Sequence, residues 1–277
     1  MVATDWAVIP VAGRGTRMQP ITRVIPKELL PLGRKPALHW IVEELLLAGF
    51  RHLVFVTSAG KPMVQRYLED DLVAEQLAQF AGSDRAPAVL PRYYFVNQAE
   101  QRGLGDAVFC ARDVVEDRPC AVALGDCVLG ARQRSDVLAR MAQRAETDTL
   151  QMLIAFQRVP PETVTRYGIA RPAGPGDSFE LLDLIEKPDA AHAPSNLAVA
   201  GRYLLPGEVF SALSSQAAGV GNEIQLTDAL RTLIRQGLRA GGEVLRPDEQ
   251  RFDVGDFPSY FRAFAEFAAA DGEVERR

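Results

Sequence analysis

The stretch from residue 7 to residue 20, AVIPVAGRGTRMQP, decides the fold. Ala7–Val11 is a short apolar run, which is typical of a strand buried on both faces of a parallel sheet. Gly13 and Gly15 follow it directly and allow the backbone to approach a ligand closely and to turn its N–H groups toward it. The stretch therefore predicts a buried strand that leads into a ligand-binding loop at the edge of a sheet.

The rest of the first half alternates strand-like and helix-like segments. Buried-strand patterns lie at 53–57, 92–96 and 120–124. Helical patterns lie between the strands; the clearest begins at Pro36, and another predicts a single helix at 62–72. Alternation of this kind with short connections predicts a parallel, doubly wound sheet with right-handed crossovers.

Past residue 150 most of the segments have strand patterns. An amphipathic helix is predicted at 225–236, a strand pair near 242–254 and a last helix at 258–269. No Pro/Gly/Ser-rich linker separates the halves, so we expect residues 1–277 to form a single domain. The predicted fold is α/β and Rossmann-like, with a mixed, mainly parallel sheet flanked by helices.

The composition excludes several classes of protein. Of the 277 residues, 47% are hydrophobic and 24% charged, proportions that rule out wholesale disorder. The sequence has no run of about 18 apolar residues, so we expect no membrane-spanning helix and no membrane partner. The three cysteines lack CxxC spacing and no secretory signal pattern is present. These features favour a cytoplasmic location and argue against a disulfide framework or a zinc site.

The charge balance excludes a general nucleic-acid binder. The chain has 31 basic and 36 acidic residues, which gives a net charge of −5 rather than the basic surplus that such proteins carry. The positive charges that could bind an anion are local, because Arg14, Arg17, Arg23 and Lys27 lie in a stretch, 12–27, that contains no acid. A solvated basic loop is one interpretation. The glycines at the carboxyl end of the first strand favour a polyphosphate site instead.

Two familiar phosphate-binding motifs do not fit this loop. A dinucleotide-binding fingerprint needs a third glycine, but Met18 stands in that position. The fingerprint also needs a helix that starts at once, and Pro20 would interrupt such a helix. A Walker A loop needs Ser or Thr after Gly-Lys, and Pro62 follows Lys61 in the only Gly-Lys pair of the sequence. The loop therefore belongs to a different class of site.

Two blocks of the sequence resemble a known signature. Residues 11–18 (VAGRGTRM) and 25–32 (IPKELLPL) together resemble the sugar-1-phosphate nucleotidylyltransferases, and the Pro-Lys-Glu at 26–28 resembles the bacterial UTP–glucose-1-phosphate uridylyltransferases in particular. The resemblance covers roughly residues 5–268. It implies a nucleotide-binding half at 1–150 and a sugar-phosphate-binding half at 151–270. In these two blocks it implies nucleotide-binding residues at Ala12, Gly13, Gly15 and Glu28, and catalytic cations at Arg17 and Lys27.

A second matching segment follows the third strand. Gln98 stands where the family has a glutamine that contacts the uracil edge, and a side-chain amide offers that edge both a donor and an acceptor. Gly103, at the start of the next helix, would let the base lie flat against the backbone. A surface turn with a polar residue is the alternative. Asp106 stands where the uridylyltransferases usually have histidine, which leaves the base selectivity open.

Two aspartates are the candidate metal ligands. Asp126 follows the fourth strand and Asp253 lies in Phe-Asp-Val-Gly near the C-terminus. Magnesium prefers one or two carboxylates together with phosphate oxygens, and the resemblance implies that these two bind Mg²⁺, with Asp126 also at the nucleotide. Asp126 by itself could also be a helix cap or a turn former. Gly125 beside Asp126 differs from the commoner Pro-Asp-Val form of the uridylyltransferases.

The longest match lies in the second half. Residues 186–203 follow the pattern EKPxxxxAPSNLAxxGRY of the uridylyltransferases. Lys187 would be a point charge on the phosphate of the sugar substrate and catalytic in that role. The implied sugar-binding residues are Gly168, Glu186, Lys187 and Gly201. The EIQLTD segment at 223–228 also matches, and we interpret it as the start of a capped helix without assigning it chemistry.

The resemblance implies uridylyl transfer from UTP to α-D-glucose 1-phosphate, which gives UDP-glucose and pyrophosphate by a Mg²⁺-assisted in-line displacement. A phosphate nucleophile is already ionised, which agrees with the lack of a convincing Ser/His/Asp or Cys/His set. A dTTP- or CTP-dependent enzyme of the same fold and a non-catalytic nucleotide-sugar-binding protein stay open as alternatives. The resemblance also implies a homo-oligomer, either a dimer or a tetramer.

Overall fold

The computed structural model describes residues 4–80, 90–132, 134–219 and 222–274. The strands of these ranges are β1 (Trp6–Pro10), β2 (Pro31–Leu32), β3 (Lys35–Pro36), β4 (His52–Thr57), β5 (Arg92–Asn97), β6 (Cys120–Ala123), β7 (Cys127–Leu129), β8 (Met152–Arg158), β9 (Gly168–Pro172), β10 (Ser178–Glu186), β11 (Leu197–Leu205), β12 (Ala240–Val244) and β13 (Arg251–Asp253). The helices are α1 (Ala37–Leu47), α2 (Pro62–Leu68), α3 (Asp71–Ala78), α4 (Leu104–Cys110), α5 (Arg112–Val115), α6 (Val137–Thr147), α7 (Glu208–Ser214), α8 (Leu226–Arg235) and α9 (Phe257–Val274).

Strands from both halves of the chain form one sheet, with nine strands in the described ranges. Their order is β5-β4-β1-β6-β11-β8-β12-β10-β9. The first four are parallel. Of the described strands in this sheet, only β11 and β10 run against the others. The prediction of an α/β fold with a mixed, mainly parallel sheet is confirmed.

Both faces of the sheet are covered, which explains the continuous apolar runs in its strands. Ala7 and Ile9 of β1 pack into the core beneath α1, α6 and α9, whereas Val8 packs on the opposite side beneath α4, α7 and α8. All three side chains are fully buried. A strand that is buried on both faces needs no polar alternation. Among the helices of the described ranges, none has both the length and the apolar character that a membrane span requires.

Two predicted elements differ from the structure. The single helix predicted from Pro62 is two helices, because Asp70 accepts hydrogen bonds from the N–H groups of Leu72 and Val73 and so begins α3. The two strands predicted near 242–254 are present, but they do not pair with each other. Strand β12 joins the central sheet between β8 and β10, whereas β13 pairs with β7.

A buried ion pair joins α1 to the sheet. Arg202 of β11 is fully buried and donates to both carboxylate oxygens of Glu44, at 2.9 and 2.7 Å. It also donates to the carbonyl oxygens of Gly201 and Cys127, at 3.1 and 3.0 Å. Burial disfavours the guanidinium charge, but the partnership with Glu44 raises the pKa of Arg202 above its ordinary value. This network holds the backbone just after the end of β6.

We predict that Arg202→Met lowers the free energy of unfolding by about 3–5 kcal/mol, because the Glu44 carboxylate is then left buried and unpaired. Urea denaturation measures the change. The double variant Arg202→Met/Glu44→Leu is the matched control and should regain most of the loss, since neither charge remains. Equal stability of the single variant and the wild type would contradict the prediction.

Candidate active site

The carboxyl ends of the parallel strands meet at one edge of the sheet, where α/β folds bind ligands. A cleft of about 660 Å³ opens there between the loop after β1 and the residues that follow β5 and β6. The predicted site residues that line this cleft are Ala12, Gly13, Gly15, Arg17, Lys27, Glu28, Gln98, Gly103 and Asp126. The structure thus brings together every residue that the sequence assigned to the nucleotide.

The glycine loop has a backbone that side chains would obstruct. Gly15 has a φ of 62°, and a Cβ added there would lie 2.9 Å from Cγ2 of Thr22. The Thr22 hydroxyl donates to the carbonyl oxygen of Gly15 at 2.8 Å and closes the loop. A Cβ added at Gly13 would lie 3.5 Å from the Lys27 ammonium nitrogen. The loop therefore presents bare backbone beside a cation, as an anion-binding site requires.

Lys27 and Asp126 form an ion pair across the floor of the cleft. The Lys27 Nζ donates to Oδ2 of Asp126 at 2.5 Å, and the side chains are 12% and 31% exposed. Burial lowers the pKa of Lys27, but the charges of Asp126 and Glu28 raise it above its ordinary value. Burial likewise opposes ionisation of Asp126, yet Lys27 holds the pKa of this carboxyl below its usual range. Both groups are therefore charged at neutral pH.

Lys61, the lysine of the Gly-Lys pair that does not form a Walker A motif, supports the same loop. Its ammonium lies 2.8 and 3.0 Å from the two carboxylate oxygens of Glu28 and 2.6 Å from the carbonyl oxygen of Val11. Burial raises the pKa of Glu28 and lowers that of Lys61. Lys61 therefore holds the end of β1 in place. Its position just after a buried strand was the only sequence signal.

Asp253 lies beside Asp126 because β13 pairs with β7. In that pairing Asp253 is opposite Cys127, and the N–H of Val254 donates to the carbonyl oxygen of Asp126 at 2.9 Å. Arg251 donates to Oδ1 of Asp253 at 2.7 Å. Burial raises the pKa of Asp253; Arg251 opposes this shift, and the negative charge of Asp126 adds to it. The two carboxylates therefore share one electrostatic environment.

The two aspartates fit a divalent cation. Lys27 contacts one carboxylate oxygen of Asp126, and Arg251 contacts one of Asp253. In the part of the chain that the structure describes, no other side chain donates to the second oxygen of either group. Those ranges hold no cluster of three or more His, Cys, Asp or Glu side chains suited to a metal. A pair of carboxylates that needs further oxygens from phosphate is the arrangement that magnesium prefers.

The sugar-binding residues predicted from the sequence form a second group. Gly168 of β9 is opposite Glu186 of β10, and the Thr227 hydroxyl donates to Oε2 of Glu186 at 2.7 Å. The Lys187 ammonium lies 3.3 Å from Oε1 of Glu186, and its side chain is 43% exposed. A Cβ added at Gly168 would lie 3.3 Å from Oε2 of Glu186, so that a larger residue would press against this carboxylate.

The backbone of Lys187 is strained. Its φ is 44°, a left-handed value that residues with a side chain seldom adopt, and its N–H donates to the carbonyl oxygen of Tyr167 at 2.9 Å. Strain of this kind persists only where the surroundings impose it, and it is concentrated at functional sites.

Contacts connect this second group to the nucleotide cleft. The Arg251 guanidinium that binds Asp253 lies 5.0 Å from the centre of the Tyr167 ring. Arg166 and Arg17 each lie 3.8 Å from the Asp256 carboxylate. Arg166 directly precedes Tyr167, which accepts the Lys187 N–H, and Arg17 belongs to the glycine loop. The two groups are therefore adjacent.

Gly201 lies where the two groups meet. It has a φ of 80° in an irregular part of β11, and a Cβ there would lie 3.2 Å from Leu124 of the cleft and 3.3 Å from the sulfur of Cys127. Gly201, Asp253 and the residues of the second group do not line the 660 Å³ cleft itself.

The structure also corrects the expectation for Gln98. Its amide nitrogen donates to Oδ2 of Asp106 at 2.7 Å and to the carbonyl oxygen of Gly103 at 3.3 Å. The side chain therefore does not offer a donor to a ligand. Only its oxygen remains available as an acceptor.

Sequence reasoning also missed residues in the EIQLTD segment. It assigned them no chemistry, but Thr227 contacts Glu186, and Glu223 lines the cleft. The match of this segment to the family was the signal that could have identified them. Arg251 had no comparable signal, because only the pairing of β13 with β7 brings it to the site.

Comparison with known proteins agrees with this site. The sequence model of the nucleotidyl transferase family matches residues 6–270. The UTP–glucose-1-phosphate uridylyltransferase of Bacillus subtilis (strain 168) is 35% identical over 280 residues, which cover 97% of this chain and 92% of that protein.

Two solved structures are similar over nearly the whole chain. A UDP-glucose pyrophosphorylase complexed with UDP-glucose has a TM-score of 0.83 at 30% identity and covers 98% of both chains. The UTP-bound UGPase from Acinetobacter baumannii has a TM-score of 0.79 at 31% identity and covers 94% of this chain and 92% of that one. The family predicted from the motifs is confirmed: the chain belongs to the nucleotidyl transferase family, and its relatives along nearly its full length include bacterial UTP–glucose-1-phosphate uridylyltransferases.

Proposed function

We propose that this protein transfers a uridylyl group from UTP to α-D-glucose 1-phosphate, forming UDP-glucose and pyrophosphate. The observation that carries the proposal is the adjacency of two groups that each contain a lysine, one around the Lys27–Asp126 ion pair and one around Lys187. Relatives that are named for this reaction, and related structures described as complexes with UTP and UDP-glucose, support it.

In the proposal, residues 1–150 bind the nucleotide. The backbone of the glycine loop surrounds the phosphates, and Glu28 holds that loop through its ion pair with Lys61. Arg17 and Lys27 neutralise the triphosphate, while Gln98 meets the base. The proposed nucleotide set is Ala12, Gly13, Gly15, Arg17, Lys27, Glu28, Gln98, Gly103 and Asp126.

Residues 151–270 bind the sugar phosphate in the same proposal. Lys187 contacts the phosphate as a compact charge. Glu186, held by Thr227, accepts hydrogen bonds from sugar hydroxyls. Gly168 and Gly201 keep the backbone close to the ring, since a side chain at either position would meet its neighbours within about 3.3 Å.

The reaction then needs positioning rather than a general base. A phosphate oxygen of the sugar phosphate forms a bond to the α-phosphorus of UTP, and the bond from that phosphorus to pyrophosphate breaks. The attacking oxygen is already ionised, so no proton has to leave it. Arg17, Lys27 and Lys187 offset the repulsion between the two anions, which is the main barrier to bringing them together.

We assign a divalent cation, Mg²⁺, to Asp126 and Asp253. Their second carboxylate oxygens and their mutual repulsion fit such an ion. When bound, it would supply Lewis-acid stabilisation of charge on the phosphate oxygens. The family resemblance also underlies two expectations that stay predictions, a cytoplasmic location and assembly into a dimer or tetramer.

We predict that the purified protein releases pyrophosphate with UTP and α-D-glucose 1-phosphate and does so faster than with other pairs, because its binding groups match both anions. The assay crosses UTP, dTTP, CTP and ATP with several hexose 1-phosphates, with and without Mg²⁺. If the protein prefers dTTP or CTP, that nucleotide is the substrate instead of UTP. Tight nucleotide binding without pyrophosphate release would make the protein a nucleotide-sugar-binding protein.

We predict that Lys187→Ala lowers kcat/KM about 100-fold or more, since a fixed cation at the reacting phosphates is lost. The fold should be unaffected because the side chain is 43% exposed. Arg171→Ala is the matched control, since Arg171 is an exposed cation on β9. A Lys187→Ala enzyme as active as the control would remove Lys187 from the mechanism.

We predict that Asp126→Asn and Asp253→Asn each raise the Mg²⁺ concentration for half-maximal activity by at least about tenfold, because a proposed ligand loses its charge. That factor is typical even for groups that only orient a ligand. Asp248→Asn, a change at an exposed acid, is the control and should leave the titration unchanged. Unchanged titrations in both test variants would refute the assignment.

A further inference from the structure

Gln98 is held in one orientation by its neighbours. The side chain is 3% exposed and borders the cleft just after β5. One amide nitrogen has two hydrogens to donate. The Asp106 carboxylate at 2.7 Å and the carbonyl oxygen of Gly103 at 3.3 Å accept them both.

The chemistry of these neighbours assigns the orientation of the amide. A carboxylate and a carbonyl oxygen are both acceptors, so only the nitrogen of Gln98 can face them. Arg102 donates to Oδ1 of Asp106 at 2.7 and 3.2 Å, so that this carboxylate oxygen is also paired. Within the described ranges no donor contacts Oε1 of Gln98. This oxygen is therefore the atom that Gln98 offers to a ligand in the cleft.

The loop that carries this arrangement has little freedom to adjust. Gly103 has a φ of 109°, and a Cβ there would lie 2.7 Å from the carbonyl oxygen of Ile224. The N–H of Gly105 donates to the same oxygen at 2.8 Å, and the N–H of Ile224 donates to the carbonyl oxygen of Arg102 at 2.7 Å. Asp106, in the first turn of α4, is 2% exposed. The carboxylate thus faces Gln98 from a fixed backbone.

We propose that Asp106 is a positioning residue for base selection, because it turns the Gln98 amide so that the cleft accepts pyrimidines with an N3–H group and rejects cytosine. The proposal rests on the proposed function, in which Gln98 meets the base. Uracil and thymine carry a hydrogen on N3 that Oε1 can accept. Cytosine carries a lone pair there, and two acceptors that face each other without a hydrogen bond are unfavourable. Asp106 acts through Gln98 and does not touch the nucleotide.

The central variant is Asp106→Asn, which keeps the side-chain volume but can present either a donor or an acceptor to Gln98. The Gln98 amide can then turn and donate to N3 of cytosine. We measure kcat and KM with UTP, dTTP and CTP, and the binding of UDP and CDP by calorimetry without metal. Asp113→Asn, at an exposed acid of α5, is the matched control.

We expect the ratio of kcat/KM for UTP over CTP to fall about tenfold or more in Asp106→Asn, the factor for one hydrogen bond gained or lost. The ratio for UTP over dTTP should stay constant, because both bases carry N3–H. The change should be mainly in KM, since the base is remote from the reacting phosphorus. Asp113→Asn should behave as the wild type.

Two further variants separate positioning from a merely structural role. Arg102 has an exposed side chain that forms an ion pair with the buried Asp106 carboxylate, and Arg102→Met removes this pair. This variant should shift the UTP-over-CTP ratio in the same direction as Asp106→Asn, but by less. Gln98→Glu sets two carboxylates against each other and should weaken UTP use. Gln98→Glu combined with Asp106→Asn restores a donor opposite an acceptor and should recover the preference for UTP.

An unchanged UTP-over-CTP ratio in Asp106→Asn and Arg102→Met overturns the proposal, as does an equal loss with all three nucleotides. The binding measurement separates this outcome from failure of the proposed function. If the wild type releases no pyrophosphate but binds UDP over CDP, and Asp106→Asn loses that preference, the role of Asp106 stands and the catalytic proposal fails. If the wild type is active and the preference for UTP over CTP persists in the variants, the catalytic proposal stands and the role of Asp106 fails.

Discussion

The Lys27–Asp126 ion pair is the contact on which the site depends. It connects the loop after β1 to the end of β6, two neighbouring parallel strands, and so defines the floor of the cleft. Although the chain has a net charge of −5, this ion pair keeps a charged lysine at the cleft, where an anionic ligand can reach it. Because the carboxylate keeps the ammonium charged despite burial, the positive charge does not depend on the ligand being present.

Glycine at position 125 permits this contact. A Cβ there would lie 2.5 Å from Val11 and 2.8 Å from the carbonyl oxygen of Pro10, distances that real side chains do not tolerate. With the backbone as it stands in this chain, a side chain at position 125 would therefore push the residues after β6 away from the end of β1. This explains in physical terms why Gly125 precedes Asp126 in this sequence.

Several buried charges around the site are paired with opposite charges. Lys61 pairs with Glu28 and also contacts the backbone at the start of the glycine loop. Arg202 pairs with Glu44 and also contacts the backbone of Cys127, the residue after Asp126. Such pairs contribute little net stability, since the loss of hydration offsets much of their attraction. Their effect is to hold backbone and charged groups in one geometry. Fixed charges of this kind stabilise a reacting anion without having to reorganise.

The orientation of Gln98 follows the same principle at the other wall of the cleft. An amide that is free to turn can serve either as donor or as acceptor, whereas one held by Asp106 serves as acceptor only. The sequence predicted that Gln98 contacts the base, but it did not predict that the Asp106 carboxylate orients the Gln98 amide. Asp106 was noticed as a departure from the family, and its partner became visible only in the folded chain.

The sequence alone determined the fold class, most of the strands and the residues of the nucleotide cleft, because these depend on local patterns. The patterns are continuous apolar runs, glycines directly after a strand, and motifs of residues that are close together in the sequence. Only the tertiary structure decided the contacts between distant segments. The pairing of β13 with β7 brings Asp253 and Arg251 to Asp126, and the packing of buried side chains brings Lys61 to Glu28. Such contacts depend on which strands become neighbours, and the order of strands in a sheet is set by packing across the whole core rather than by any local stretch of sequence.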